Sequence, residues 1–313
     1  MKRIVLFLTV SLSCLVLSGT VYSQNLSSKP IRIAVLQNDV HHLPLWVALD
    51  KGFFKEQGVD VEIAGIFRAG PEIMSAFSAG SLDMAYVGEA PTVTASANGT
   101  AKVVILAQVN TEGSAIVVGK NSHIKTISDL EGKQVAIPGY STVQDLLLRK
   151  ALTESGIDPK HIKITVIKPP EMISAVRTNQ IDAFIAWEPY PAQAVCKDAG
   201  KILTYSSQIW KDHPCCVLVA DKQFAQENPE RMKSVLKVHR KAIDFIRDNP
   251  DEALRIATKH TGLDEQTAKQ AIDRVKYVSN INVQGLQEYV NYLRELGYIK
   301  LNNAHSFIEN LIY

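Results

Sequence analysis

The chain repeats itself, and the repeat limits its fold more than any other feature. Pro71-Glu72-Ile73-Met74-Ser75-Ala76 returns 99 residues later as Pro170-Glu171-Met172-Ile173-Ser174-Ala175. The register then holds without a gap: Leu82-Asp83 answers to Ile181-Asp182 and Glu89 to Glu188. Upstream, Gly58-Val59-Asp60 matches Gly156-Ile157-Asp158 at an offset of 98, so one inserted residue separates the copies. Each copy presents the same order of elements. Short apolar runs at Ile31 to Leu36 and Gln134 to Ile137 suit buried parallel strands, and each leads through a loop into an apolar-rich helix, Leu43 to Lys51 or Val143 to Glu154. A Gly-aliphatic-Asp turn opens the next strand, Val61 to Ile66 or Ile162 to Ile167. The Pro-Glu helix follows, with Pro where a helix starts and Glu in its first turn. Asp83 and Asp182, read as turn residues, precede the third strands, Met84 to Val87 and Ala183 to Ala186.

Strands alternating with helices at this spacing predict right-handed crossovers and one parallel sheet per copy, hence an α/β chain of two lobes. Ligands of open α/β sheets sit outside the carboxyl ends of the strands, which places a site in the cleft between lobes. The facing loops are Gln37 to Pro44, Phe67 to Glu72 and Gly88 to Pro91 in one copy, and Pro138 to Val143, Lys168 to Glu171 and Trp187 to Pro189 in the other. After the apolar run Cys216 to Ala220 the chain is helical at Pro229 to Asn249, Pro250 to His260, Asp264 to Lys276 and Gln284 to Leu296, with no third copy. This third is expected to pack back on the first lobe, giving residues 30–115 plus 220–313 as a discontinuous lobe one and 118–214 as lobe two.

The N-terminus reads as an export signal. Lys2 and Arg3 precede an apolar stretch from Ile4 to Leu17, and Val21 and Ser23 suit signal peptidase with a cut after Ser23. The stretch is shorter than the roughly 20 residues a membrane span needs. Cys14 sits in a poor lipobox, so a lipid anchor is the less favoured alternative. The chain holds 34 Lys plus Arg against 32 Asp plus Glu, and two of those cations are Lys2 and Arg3. The remainder is therefore balanced, which disfavours a nucleic-acid partner. Beyond the signal only Cys196, Cys215 and Cys216 remain, without a CxxC or paired metal-ligand spacing. They read as buried small apolar residues, or as one disulfide from Cys196 to the vicinal pair. GxGxxG, HExxH and GxSxG are all absent, and Gly113 to Lys120 misses the P-loop spacing, so no cofactor or metal is expected.

Leu43-Pro44-Leu45-Trp46-Val47-Ala48 through Lys51-Gly52-Phe53-Phe54-Lys55-Glu56-Gln57-Gly58 resembles the opening signature of periplasmic solute-binding proteins of the nitrate, sulfonate and taurine class of ABC importers. Similar stretches follow in the family's order: Ala79-Gly80-Ser81-Leu82-Asp83 with Gly88-Glu89-Ala90-Pro91, then Asp129-Leu130-Glu131-Gly132-Lys133, Ile181-Asp182-Ala183-Phe184 with Trp187-Glu188-Pro189, and His213-Pro214-Cys215-Cys216. The resemblance covers roughly residues 30 to 300. It implies a type II periplasmic-binding fold, two parallel-rich sheets joined by two hinge strands, near Ala115 to Gly119 and Cys216 to Ala220. It also implies a monomeric, non-enzymatic receptor that passes a small molecule to an ABC permease. The alternatives are an enzyme like the thiamine-pyrimidine synthases, which share the fold but act inside cells, and a ligand sensor.

Each candidate ligand residue has a bland reading beside the functional one. Tyr140, Ser141 and Thr142 precede a helix whose free amides suit an oxyanion, although Ser141 or Thr142 can simply cap it. Gly70 precedes a helix already served by Glu72. Trp187 can close over a ligand or pack between lobes. Glu89 and Glu188 can hold a cationic group or bridge the closed lobes. Gln37, Asn38 and His41 lie in the first cleft loop, whereas His213 reads as structural. Helix starts beside paired carboxylates predict a ligand with an anionic head and a second polar or positive group, sulfonate-like ahead of nitrate.

Overall fold

The computed structural model describes residues 29–313, and the expected signal peptide lies outside the described residues. The strands are β1 Ile31–Leu36, β2 Val61–Phe67, β3 Met84–Gly88, β4 Val103–Glu112, β5 Ser114–Gly119, β6 Gln134–Ile137, β7 Lys163–Val166, β8 Ala183–Trp187, β9 Gly200–Tyr205, β10 Pro214–Asp221 and β11 Val275–Tyr277. They form two sheets, ordered β11-β4-β10-β3-β1-β2 and β7-β6-β8-β5-β9.

The repeat is visible in the pairing. β1 lies parallel between β2 and β3, and β6 lies parallel between β7 and β8. β3 and β8 are buried along their whole length, as apolar runs between two covered faces should be. The repeated aspartates tie the starts of these strands together, each accepting a backbone N–H at 2.8 Å, from Arg32 to Asp83 and from Gln134 to Asp182. They stand at the end of the sheet away from the cleft and act as turn residues.

Three strands of each sheet are parallel, but neither sheet is wholly so. β10 runs antiparallel to β3 and β4, and β5 antiparallel to β8 and β9. The segments expected as hinges, Ala115 to Gly119 and Cys216 to Ala220, thus lie inside the sheets as strands. The chain passes between sheets at Gly113, and returns after β9 through the short helix Ser206–Ile209 to β10. Gly113 has φ +83°, and a Cβ there would lie 2.2 Å from Nε2 of His41, so only glycine fits the crossing.

The helix Pro229–Asp248 buries Met232, Val235, Val238, His239, Ala242 and Ile246, a stripe at three- and four-residue spacing. It packs with the helix Pro250–Thr261 on the helix Leu43–Asp50 of the first sheet. The helix expected over Asp264 to Lys276 stops at Ile272, and Val275–Tyr277 adds an edge strand to β4. Glu265–Ile272 packs against Pro250–Thr261 and the turn Val40–His42, and also reaches Tyr190–Cys196 beside the second sheet.

Candidate functional site

Between the sheets, outside the carboxyl ends of β1, β3 and β8, lies a pocket lined by Leu36, Asp39, His41, Gly70, Gly88, Pro91, Thr142, Val143, Gln144, Trp187, Cys215 and Cys216. Its volume is about 20 Å³, room for about one water. A groove of about 590 Å³ is larger, but it is lined by Lys133, Ile181 and Asp182 at the opposite ends of the strands.

The wall from the second sheet supplies donors. Thr142 caps the helix Val143–Glu154, its Oγ1 accepting from Asp145 N–H at 3.2 Å. Such a cap is worth about 1 kcal/mol and fixes the helix start at the cleft. The Asp145 carboxylate in turn accepts from Ser141 N–H at 2.8 Å and from the Tyr298 hydroxyl at 2.6 Å. The amides of Val143 and Gln144, first and second in the helix, find no acceptor among the described residues. Trp187, 3% exposed, lines the same pocket and its Nε1–H is buried without a partner.

The wall from the first sheet is the opposite. A short 3-10 turn, Val40–His42, follows β1 and is capped by Asp39, whose Oδ1 accepts from His41 N–H at 2.9 Å. His41 Nε2 lies 2.9 Å from the carbonyl of Gly113, so the ring donates there and turns Nδ1 toward the two cysteines. Nδ1 stands 3.6 Å from the sulfur of Cys215 and 3.6 Å from that of Cys216. Asp39 Oδ2 and His42 Nε2 are buried 3.6 Å from each other, without a hydrogen-bond partner among the described residues. Burial lifts the Asp39 carboxyl to about 7 even against His41. For His41 burial acts downward, but Asp39 and Cys215 outweigh it and lift the ring to about 9. Cys215 is held well below a normal thiol by the S–H of Cys216 and by His41, whereas burial and Cys215 push Cys216 up. Among the described residues no Lys or Arg lines the pocket.

Of the residues expected from sequence, His41, Gly70, Thr142 and Trp187 line the pocket. Gly70 is also required by packing, since a Cβ there would meet Pro91 at 2.6 Å. Tyr140 and Ser141 line a neighbouring groove of about 350 Å³ at the rim, and Ser141 Oγ hydrogen-bonds Thr94 across the cleft. The Gln37 carbonyl accepts from the Tyr190 hydroxyl at 2.8 Å, another bond between the sheets, and Asn38 turns the chain with φ 51°. Glu89 and Glu188 lie behind the pocket, both buried. Glu89 accepts from Gln108 at 3.2 Å and Glu188 from Ala192 N–H at 3.1 Å, and neither forms an ion pair among the described residues. Burial pushes both carboxyls up to about 8.

Asp39, Cys215 and Cys216 were not among the expected pocket residues. A capping Asp carries no chemical signal, and the vicinal cysteines become a pair facing His41 only once β10 returns beside β3. Cys196, grouped with them as a buried apolar residue, is exposed, and all three thiols are free.

Two mixed sheets facing across a closed cleft, with helix starts at its rim, define a two-lobed periplasmic-binding fold. Residues 24–260 match the model of the NMT1-like family, and the chain belongs to that family. A putative aliphatic sulfonates-binding protein of Bacillus subtilis is 30% identical over 81% of this chain and 76% of its own length. The taurine-binding periplasmic protein of Escherichia coli is 34% identical over 66% of this chain and 63% of its own. Among solved structures, the periplasmic nitrate-binding protein of Synechocystis superposes with a TM-score of 0.80 at 21% identity, covering 90% of this chain and 86% of that one. These relatives are named as binding proteins, not enzymes.

Proposed function

We propose that this chain is the extracytoplasmic receptor of an ABC importer, and that its two lobes, standing further apart than in this structure, whose pocket has room for about one water, take a small two-ended solute of the taurine type between them. The observation that carries the ligand class is the polarity of the pocket. Unpartnered donors from Trp187, Val143 and Gln144 face it from one lobe, while Asp39 and His41 face it from the other. A sulfonate head meets the helix start and the indole N–H, and an ammonium end meets Asp39. A plain anion would use only the first wall. His41, Thr142 and Trp187 touch the solute in this reading. Gly70 keeps the rim narrow, Gln37, Asn38, Tyr140 and Ser141 shape the closing edge, and Glu89 and Glu188 sit behind as neutral acids. The lobes meet at Gly113 and at residues 206–213, and bending there opens the site.

The relatives' names support the receptor reading, as does the N-terminal export signal, whose product should begin at Gln24. Titration calorimetry with taurine, an alkanesulfonate and nitrate tests the ligand. Taurine should bind tightest, and at 100 times its dissociation constant should stabilise the protein by roughly 2.7 kcal/mol. Nitrate binding as tight as taurine would refute the two-ended solute.

A further inference from the structure

The wall that faces the sulfonate-binding helix holds an arrangement that a solute receptor does not need. His41 Nδ1, Cys215 Sγ and Cys216 Sγ lie within 4.8 Å of one another, all buried. Both sulfurs stand 3.6 Å from Nδ1. Without an ion, two protons shared among Nδ1 and the two sulfurs hold the three atoms together. A tetrahedral ion with bonds of about 2.3 Å to sulfur and about 2.0–2.1 Å to nitrogen would set them about 3.5 Å apart. The observed spacing is that of two edges of one coordination tetrahedron.

The surroundings agree. A metal-binding imidazole usually gives its other N–H to a carbonyl or carboxylate, which fixes the tautomer; here Nε2 lies 2.9 Å from the Gly113 carbonyl. Asp39 Oδ1 is 3.5 Å from Nδ1, and Oδ2 is buried without a hydrogen-bond partner. A pocket of about 20 Å³ suits an ion. All of these groups come from the first lobe, from the turn after β1 and the start of β10, so the set is complete before the lobes close.

We propose that His41, Cys215 and Cys216 bind a borderline-soft transition-metal dication of the zinc class in the cleft wall of the first lobe, with the fourth position open. Thiolates and imidazole favour such ions over magnesium or calcium. Uptake displaces the two protons shared among Nδ1 and the two sulfurs, and the two thiolates neutralise the dication. Resting on the receptor reading above, the ion lies in the wall that faces the sulfonate-binding helix start across the solute pocket, and it leaves Asp39 to the ammonium end. The sequence had given no such sign, because His41 and the cysteines are 174 residues apart.

Mature protein is stripped with chelator, reduced, and titrated with Co²⁺ and Zn²⁺. One cobalt ion per chain should bind with intense tetrahedral visible bands and a thiolate charge-transfer band in the near ultraviolet, and Zn²⁺ should displace it. His41→Ala, Cys215→Ser and Cys216→Ser should each weaken binding by about 100-fold or more, beyond the 10–100-fold typical of losing an outer-shell partner. Cys196→Ser should change nothing. Alkylation of the wild type gives a second readout that does not depend on the folding of core variants: Zn²⁺ should protect Cys215 and Cys216 but not Cys196. A cobalt complex without the charge-transfer band, a band that persists in Cys215→Ser and His41→Ala, or equal labelling with and without Zn²⁺ overturns the site. Taurine binding in protein that takes up no metal overturns this inference alone. Metal uptake by protein that binds no sulfonate overturns the ligand reading alone.

Discussion

The two lobes share a plan, yet their faces toward the cleft have opposite chemistry. β1 and β6 occupy the same place in their sheets, but the loop after β1 folds into a turn bearing Asp39, His41 and His42, while the loop after β6 ends in a capped helix start with free amides. The difference shows where duplication confers strength and where it leaves freedom. The repeated residues Asp83 and Asp182 hold strand ends together, and the repeated Pro-Glu pairs start helices. The unrepeated residues line the pocket. A symmetric cleft would suit a symmetric ion, whereas this one distinguishes two ends of a solute.

Gly113 should give the largest effect, because it joins the lobes and also holds the polar wall in shape. Gly113→Ala forces a left-handed backbone on alanine and drives its Cβ into His41. The strain and overlap together should cost about 2–4 kcal/mol in denaturant unfolding, and His41 should lose its carbonyl partner, abolishing cobalt charge transfer. An unchanged midpoint would mean the crossing is looser than its geometry indicates.

The next pair of changes separates the walls. In metal-free protein, Trp187→Phe removes the indole donor and should weaken taurine and an alkanesulfonate alike, by about 1.5–3 kcal/mol for a hydrogen bond to a charged group. It also removes a buried donor that has no partner, so the free protein should be no less stable. Asp39→Asn can still cap the His41 turn, and should weaken taurine while leaving the alkanesulfonate unchanged. Equal losses for both solutes in both variants would erase the polarity of the cleft.

Much of this architecture was legible because parallel strands and helix starts leave local marks. Ile31–Leu36, Gln134–Ile137 and Val143–Glu154 fall where periodicity places them, and Pro170-Glu171 does begin a helix. What escaped depends on distant pairing. β10 could be recognised as apolar but not as the antiparallel neighbour of β3, so Cys216 opposite Gly88 was out of reach. Val275–Tyr277 becomes a strand only because the edge of β4 accepts it. Glu89 and Glu188 were correctly paired by the repeat. Their depth behind the pocket was not legible, because burial depends on what packs over them.

Those two glutamates give a third, more even comparison. Each carboxyl titrates near 8 in the folded protein, raised by burial from an ordinary 4.5. Between those values the folded chain keeps a proton that the unfolded chain has lost. Stability therefore falls as pH rises through this window, by up to about 1.4 kcal/mol per pH unit for each group. Glu89→Gln and Glu188→Gln should each flatten the fall between pH 5 and 8, by similar amounts if the repeat places them in equivalent surroundings. A flattening confined to one variant would show that the two sites have diverged.

The smallest expected effect tests the one feature of the cleft that is nearly symmetric. Lys168 reaches Glu72 at 2.6 Å, and Arg68 reaches Glu171 at 3.3 Å, so the repeated helix starts exchange ion pairs between the lobes. Partial burial pushes the Glu72 carboxyl up, but Lys168 and the Arg68 N–H hold it below the usual range. The Arg68 pair is exposed, and the Lys168 pair only partly covered, so each should contribute about 0.2–1 kcal/mol. Both pairs span the lobes, so their contribution falls on the closed form and hence on ligand affinity. Lys168→Met should weaken taurine about two- to fivefold at low salt, within that range of energies, and Arg68→Met somewhat less. At 1 M salt the screening length shrinks to about 3 Å and both deficits should disappear. A loss that persists at high salt would mean that the lysine stem packs against the closing edge, and the pairs would then not be an electrostatic latch.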